Sequence, residues 1–297
     1  MTRVAVIAHR GKTVGGGLPE LRRVLEQREV TDVFWREVGK SRFAQAEVRK
    51  ALADKAELIF VWGGDGMVQR CVDVIAGTDA TMAIIPAGTA NLLATNLGIP
   101  KDIEQAVDIG LSGHSRRIDV GRLNGERFAV MAGAGFDARM IGDADGSLKD
   151  RFGRLAYVWT GAKHLREKPF RAHIKVDGAR WYDGDASCIL LGNVGKLFGG
   201  IEAFEDAHPD DGVLELGVVS ADGVKEWAST VARAVVGTAG KSPHAFTTKV
   251  HSARIKLDRK VLYEIDGGDR KKARKLRIDV EPQAVQICVP SEDAAAD

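Results

Sequence analysis

Cysteine is scarce in this 297-residue chain: Cys71, Cys188 and Cys288 stand far apart, each in apolar surroundings. No CxxC pair and no zinc-type Cys/His spacing occurs. A disulfide framework and a zinc finger are excluded, and buried, reduced thiols of an intracellular protein are the expected state. Long apolar runs are missing too. No stretch approaches the roughly 20 residues that span a bilayer, and the chain opens on the strand-like Arg3-Val4-Ala5-Val6-Ile7-Ala8 without a signal-peptide pattern, so a cytoplasmic location is expected. Nor is charge of one sign in excess. The formal net charge is +2, which argues against a dedicated nucleic-acid binder. No internal repeat stands out.

What remains is an ordinary globular composition, 44% hydrophobic, in a chain long enough for two domains. Strand-like segments at 3–8, 31–38, 57–62 and 81–86 alternate with helix-like ones at 18–28, 41–54, 67–76 and 103–111. This alternation predicts βαβ units and a parallel sheet. After residue 115 the pattern changes to short strands, beginning with a hairpin about Asn124-Gly125 and continuing at 172–176, 186–191, 213–219, 251–257, 261–265, 276–280 and 284–289. Helical patterns interrupt at 152–166 and 224–236. The expected organisation is an α/β domain over 1–117, a mostly antiparallel β-sandwich over 118–290, and a small, acidic, disordered tail over 291–297.

The most informative segment is Val61-Trp62-Gly63-Gly64-Asp65-Gly66, where an apolar run meets three glycines and then a helix. Glycines let the backbone approach an anion closely, and a helix start offers N–H groups and a positive dipole end. Asp65 would repel a bare phosphate, so it points to an intervening cation such as Mg²⁺; a plain βα turn with a capping Asp is the alternative. One βα unit later comes Pro86-Ala87-Gly88-Thr89-Ala90-Asn91, in which Gly88 permits close approach and Thr89 and Asn91 supply hydrogen-bonding side chains, or simply cap a helix. In a parallel sheet both turns lie at the carboxyl ends of their strands, where ligands bind. Gly11-Lys12-Thr13 and Gly240-Lys241-Ser242 are not P-loops, because Val6 and Val235 occupy the first glycine position of GxxxxGK[ST]. Arg10 and Lys12 either reach phosphates from the first βα turn or belong to a solvated loop.

The two turns in this order resemble the diacylglycerol kinase catalytic domain family, which includes bacterial soluble lipid kinases, sphingosine kinases and ceramide kinases. More distantly, 6-phosphofructokinases and NAD kinases share the glycine turn. The resemblance runs along nearly the whole chain, through Arg117-Ile118-Asp119-Val120-Gly121, the segment 132–138, Asn193 with Gly199-Gly200, Pro209-Asp210-Asp211-Gly212-Val213-Leu214 and Ile265-Asp266-Gly267-Gly268-Asp269.

The resemblance implies an ATP-dependent lipid kinase of phospholipid metabolism, with the nucleotide between the domains. Gly63, Gly64, Asp65 and Gly66 would cradle phosphates, followed by Met67, Val68 and Gln69 at the helix start, with Gly88, Thr89 and Asn91 opposite and Arg10 and Lys12 nearby. Asp65 and Asp119 would organise catalytic Mg²⁺. A second, structural Mg²⁺ would be held by Asp211 with carbonyls near His208 and Val213; an ordinary Asp-Gly turn is the alternative there. Four departures stand out: Leu92 where the family often has Asp, Met67 and Gln69 where the glycine turn usually continues with Thr and later Asn, His9-Arg10-Gly11 in place of an Asn-Pro turn, and Gly268 in place of the Glu taken as general base. Asp269, next door, is the candidate base, since a carboxylate need only accept a proton within hydrogen-bond distance; the alternative is a surface acid beside Arg270-Lys271-Lys272.

A lipid acceptor would also require transient membrane contact, for which the segment 152–159 with Lys163, His164, Arg166 and Lys168 is the candidate, against a helix packed on the sheet. The rival readings are a kinase for a soluble acceptor and a nucleotide- or lipid-binding regulator without turnover. A homodimer is left open.

Overall fold

Strands β1 (Val4–His9), β3 (Leu58–Gly63) and β4 (Thr81–Pro86) are buried along nearly their whole length, as expected of parallel strands covered on both faces by helices. The computed structural model describes residues 2–135, 169–196, 204, 206–221, 226 and 242–291. It divides into two compact units: Met1–Val120 with Gln283–Asp297, and Gly121–Pro282.

In the first unit the sheet runs β2-β1-β3-β4, with β2 (Val33–Val38) as edge, and every neighbouring pair is parallel. Helix α1 (Gly17–Gln27) buries Leu21, Val24 and Leu25, and α2 (Ala44–Ala53) buries Ala44, Val48 and Ala51. Both sets follow the helical period. Helix α5 (Ile103–Leu111) begins where the Asp102 carboxylate accepts the Gln105 N–H at 2.9 Å. It packs so close to the sheet that a Cβ on Gly110 would stand 2.4 Å from the Phe60 ring. Between them lie α3 (Asp65–Ile75) and the one-turn helix α4 (Leu92–Asn96), which no periodic pattern announces because it is too short to show one.

Strand β5 (Ser115–Leu123) leads out of the first unit. The second unit is a β-sandwich. One sheet is antiparallel throughout, in the order β12-β11-β10-β7-β14-β15: β7 is Met131–Ala134, β10 Cys188–Gly192, β11 Leu214–Val219, β12 Ala245–Val250, β14 Tyr263–Ile265 and β15 Gly268–Asp269. The other contains β8 (Phe170–Val176), β9 (Ala179–Ala186), β13 (Ser252–Val261) and the start of β16 (Ala273–Cys288), with the hairpin partner β6 (Glu126–Phe128) beside β5. Phe170, Ala172 and Ile174 point inward along β8 while Arg171 and His173 point out, and the inner faces share a core with Ile189, Leu216 and Ile278.

An α/β domain with a parallel sheet followed by an antiparallel sandwich is the architecture expected. The division of the chain differs in one respect. Residues 276–280 and 284–289 form one strand, β16, whose end returns to the first unit and pairs in parallel with β4, Gln286 opposite Thr81. The Pro282-Gln283 step, with Gln283 at φ 49°, interrupts the pleat where the strand changes unit. The expected helices 152–166 and 224–236 lie outside the described residues apart from Glu226, as do residues 136–138, 199–200 and 292–297. Among the described residues no helix is long and apolar enough to cross a membrane. All three cysteines are free and buried, and burial pushes the Cys188 thiol up to about 12.

Candidate active site

The register of β3 with β4 sets Gly63 opposite Pro86, so both strands end at one level and their following loops start side by side. The Ala87 N–H donates to the Gly63 carbonyl at 2.9 Å, carrying the ladder into the loops. Beyond it the two backbones touch. A Cβ on Gly88 would lie 2.5 Å from the Gly64 Cα, and one on Gly64 would lie 2.9 Å from the Gly88 Cα. These two glycines are required by the loops' contact with each other. Gly66 differs: it is exposed, and a Cβ there would meet nothing within 4 Å. That open space lies at the start of α3, where the N–H groups of residues 65 and 66 precede any intrahelical acceptor.

Asp65 ties the loops together. Its carboxylate accepts the Asn91 N–H at 2.9 Å and the Leu92 N–H at 2.5 Å, so it caps α4 from a distant part of the chain. Burial raises its pKa above the ordinary value, against the pull of the Leu92 and Asn91 N–H groups. Asn91, at φ 51°, closes the second loop on itself: its Oδ1 accepts the Gly88 N–H at 2.8 Å and its Nδ2 donates to the Gly88 carbonyl at 2.9 Å. Thr89 stands exposed at the top. The Lys101 ammonium donates to the Thr89 carbonyl at 3.2 Å, adding a cation to the rim that the sequence alone does not mark.

Of the other residues expected here, Met67, Val68 and Gln69 are buried in α3, and the Met67 and Val68 N–H groups donate to the Gly64 carbonyl. Their side chains face the protein interior, leaving Gly66 and Thr89 as the exposed positions of the two loops. Arg10 and Lys12 follow β1, which pairs directly with β3, so their loop leaves the same sheet edge. The Arg10 side chain is exposed and lies 3.6 Å from Glu37. Asp119 is fully buried on β5, and its Oδ1 accepts the Gln283 N–H at 2.7 Å.

In the second unit, Asp269 is exposed on β15. A side chain at Gly268 would meet the Arg270 guanidinium at 2.7 Å; Arg270 in turn pairs with Glu126. Two nearby carboxylates are buried, Glu264 opposite Asp269 and Asp266. Asp266 accepts the N–H groups of Ala129, Val130 and Met131 at 2.8–3.1 Å and thereby fixes the turn before β7. Asp211 lies in the turn ahead of β11 with His208 and Val213. Its Oδ1 accepts the Val213 N–H at 3.3 Å and its Oδ2 accepts from Lys249 at 3.1 Å.

The groups of these loops suited to an anion are the exposed Gly66 at the start of α3, the exposed Thr89 and the Lys101 ammonium on the Thr89 carbonyl, while the apposed Gly64 and Gly88 bring the loops into contact. No group of three or more His, Cys, Asp or Glu among the described residues is placed to hold a metal ion. Each Asp65 oxygen accepts one of the two N–H groups and keeps a second lone pair.

Comparison with known proteins agrees with this architecture. The diacylglycerol kinase catalytic domain profile matches residues 5–123, and that of the YegS C-terminal NAD kinase beta sandwich-like domain matches residues 130–289. A diacylglycerol kinase of Bacillus subtilis is 30% identical over 227 residues, covering 74% of this chain and 73% of the relative. The fold is shared with a diacylglycerol kinase from Bacillus anthracis (TM-score 0.75, 22% identity, 97% of each chain). It is shared more distantly with an NAD kinase from Archaeoglobus fulgidus (TM-score 0.54, 11% identity, 96% of this chain and 93% of that one). The chain belongs to the diacylglycerol kinase family, its first part a diacylglycerol kinase catalytic domain and its second a YegS-type, NAD kinase-like β-sandwich.

Proposed function

We propose that this kinase-family protein transfers the γ-phosphoryl group of ATP to the hydroxyl of a lipid alcohol, diacylglycerol or a close analogue, acting transiently at a membrane surface from the cytoplasm. The observation that carries the proposal is the locking of the two glycine loops through Asp65, which leaves Gly66, at the start of α3, and Thr89 exposed. Phosphoryl transfer asks a protein chiefly for positioning and charge stabilisation. The α3 start and the Thr89 loop bind the phosphates, and Lys101 adds positive charge at the rim. Mg²⁺, when bound with the nucleotide, neutralises phosphate charge. Asp65 acts as a positioning residue, and Asp65 and Asp119 are the carboxylates that would hold such an ion beside the phosphates. Asp269 accepts the proton of the attacking hydroxyl.

One observation favours a second reading, nucleotide binding without turnover: Gly268 and its contact with Arg270 replace the Glu of the resemblance. The two readings separate when ATP binding by calorimetry is compared with ATP-dependent formation of lipid phosphate. Binding without product favours the second reading, and product lost in Asp269→Asn with binding intact favours the first.

A further inference from the structure

The resemblance of the Asp-Asp-Gly turn implies a structural divalent ion at Asp211, and the residues around it do not fit one. The Lys249 ammonium already occupies the carboxylate that would be the ion's only charged ligand, Asp211. Its Nζ lies 3.1 Å from Asp211 Oδ2, 3.5 Å from the Asp206 carbonyl oxygen and 3.7 Å from Glu215 Oε1. An ammonium has three donors and no acceptor; here it donates to the Asp211 carboxylate and the Asp206 carbonyl, and the Glu215 carboxylate stands at ion-pair distance. The sheet delivers it there: Lys249 on β12 is the direct cross-strand partner of Glu215 on β11, and Asp211 lies in the turn just before β11. Glu215 is buried, and a buried carboxylate requires a counter-cation. The remaining Asp211 oxygen, Oδ1, accepts the Val213 N–H. A divalent ion bound at distances of about 2.0–2.6 Å to the same oxygens would have to expel the ammonium, since the two cations repel at that separation.

We infer that Lys249 replaces the structural metal of this turn, so that the β-sandwich unit is held by an internal cation and does not require a divalent one. The inference concerns the second unit alone and stands whether or not the acceptor is a lipid.

The test is thermal unfolding of the full-length, nucleotide-free protein in EDTA and in millimolar Mg²⁺ or Ca²⁺, with wild type, Asp211→Asn and Lys249→Met side by side. Ligands that bind the native state raise Tm as their concentration passes Kd. The inference predicts the same metal response in wild type and Asp211→Asn. It also predicts that Lys249→Met melts lower in EDTA and recovers part of the loss when metal is added. A metal-dependent rise in wild-type Tm that Asp211→Asn abolishes overturns it, and so does a folded Lys249→Met that gains no metal response. If Lys249→Met does not fold, the comparison of wild type with Asp211→Asn decides alone.

Discussion

The Asp65 carboxylate and the Leu92 backbone N–H meet at 2.5 Å, joining the helix starts of two successive βα units. The acid that the glycine turn presents is therefore a structural link before it is anything else. Replacing it with Asn keeps one acceptor but turns an NH₂ group toward a second N–H donor. Asp65→Asn is expected to lose about 1–3 kcal/mol of stability, measured by denaturant unfolding, together with most kinase activity.

The same residue sets a pH dependence. Burial raises the Asp65 pKa above 3.8, so the folded state holds the proton more tightly than the unfolded chain. Ionisation then costs stability as pH climbs from the unfolded pKa through the folded one, whereas Asn has no such titration. The stability of wild type minus that of Asp65→Asn should grow on acidification through this window and be smallest at neutral pH. A difference that shrinks on acidification contradicts the assigned environment.

Gly88 and Gly66 should respond oppositely to alanine. A methyl at Gly88 meets backbone at 2.5 Å, so Gly88→Ala forces the loops apart and should cost about 1–3 kcal/mol. A methyl at Gly66 meets open space in a helical first turn, so Gly66→Ala should hold or raise Tm, helix propensity favouring Ala by up to about 1 kcal/mol. If phosphates approach there, it should nonetheless raise the KM for ATP. An unchanged KM in a stable Gly66→Ala protein would place the nucleotide elsewhere.

Much of this frame is legible in the sequence. The apolar run into Gly63–Gly66 and the Pro86–Asn91 turn announce two βα loops on one sheet edge, because buried parallel strands leave continuous apolar segments. The partners of Asp65 are not legible. They are backbone N–H groups 26 and 27 residues away, which no side-chain pattern encodes. Asp266 hides its role likewise, holding three backbone N–H groups more than 130 residues distant. Strands β9 and β12 escape notice because they are edges, with half-exposed residues and no clean alternation. The end of β16 reads as a strand, but nothing local says which sheet it joins.

Asp266 and Asp269 give a paired prediction across three positions of sequence. Asp266→Ala leaves buried N–H donors unpaired, at about 1–3 kcal/mol each, and should unfold or severely destabilise the second unit. Asp269→Asn lies on the surface and should leave Tm unchanged while lowering kcat. Equal loss of Tm in both variants would remove Asp269 from the chemistry.

The central claim is phosphoryl transfer from ATP to a lipid hydroxyl. The most direct measurement incubates the full-length protein with γ-labelled ATP, Mg²⁺ and mixed-lipid vesicles, then partitions the label between organic and aqueous phases and identifies the product by mass spectrometry. The account predicts label in an organic-phase lipid phosphate, strongly reduced with Asp65→Asn. Label confined to a water-soluble product, or no transfer despite tight ATP binding, would contradict it.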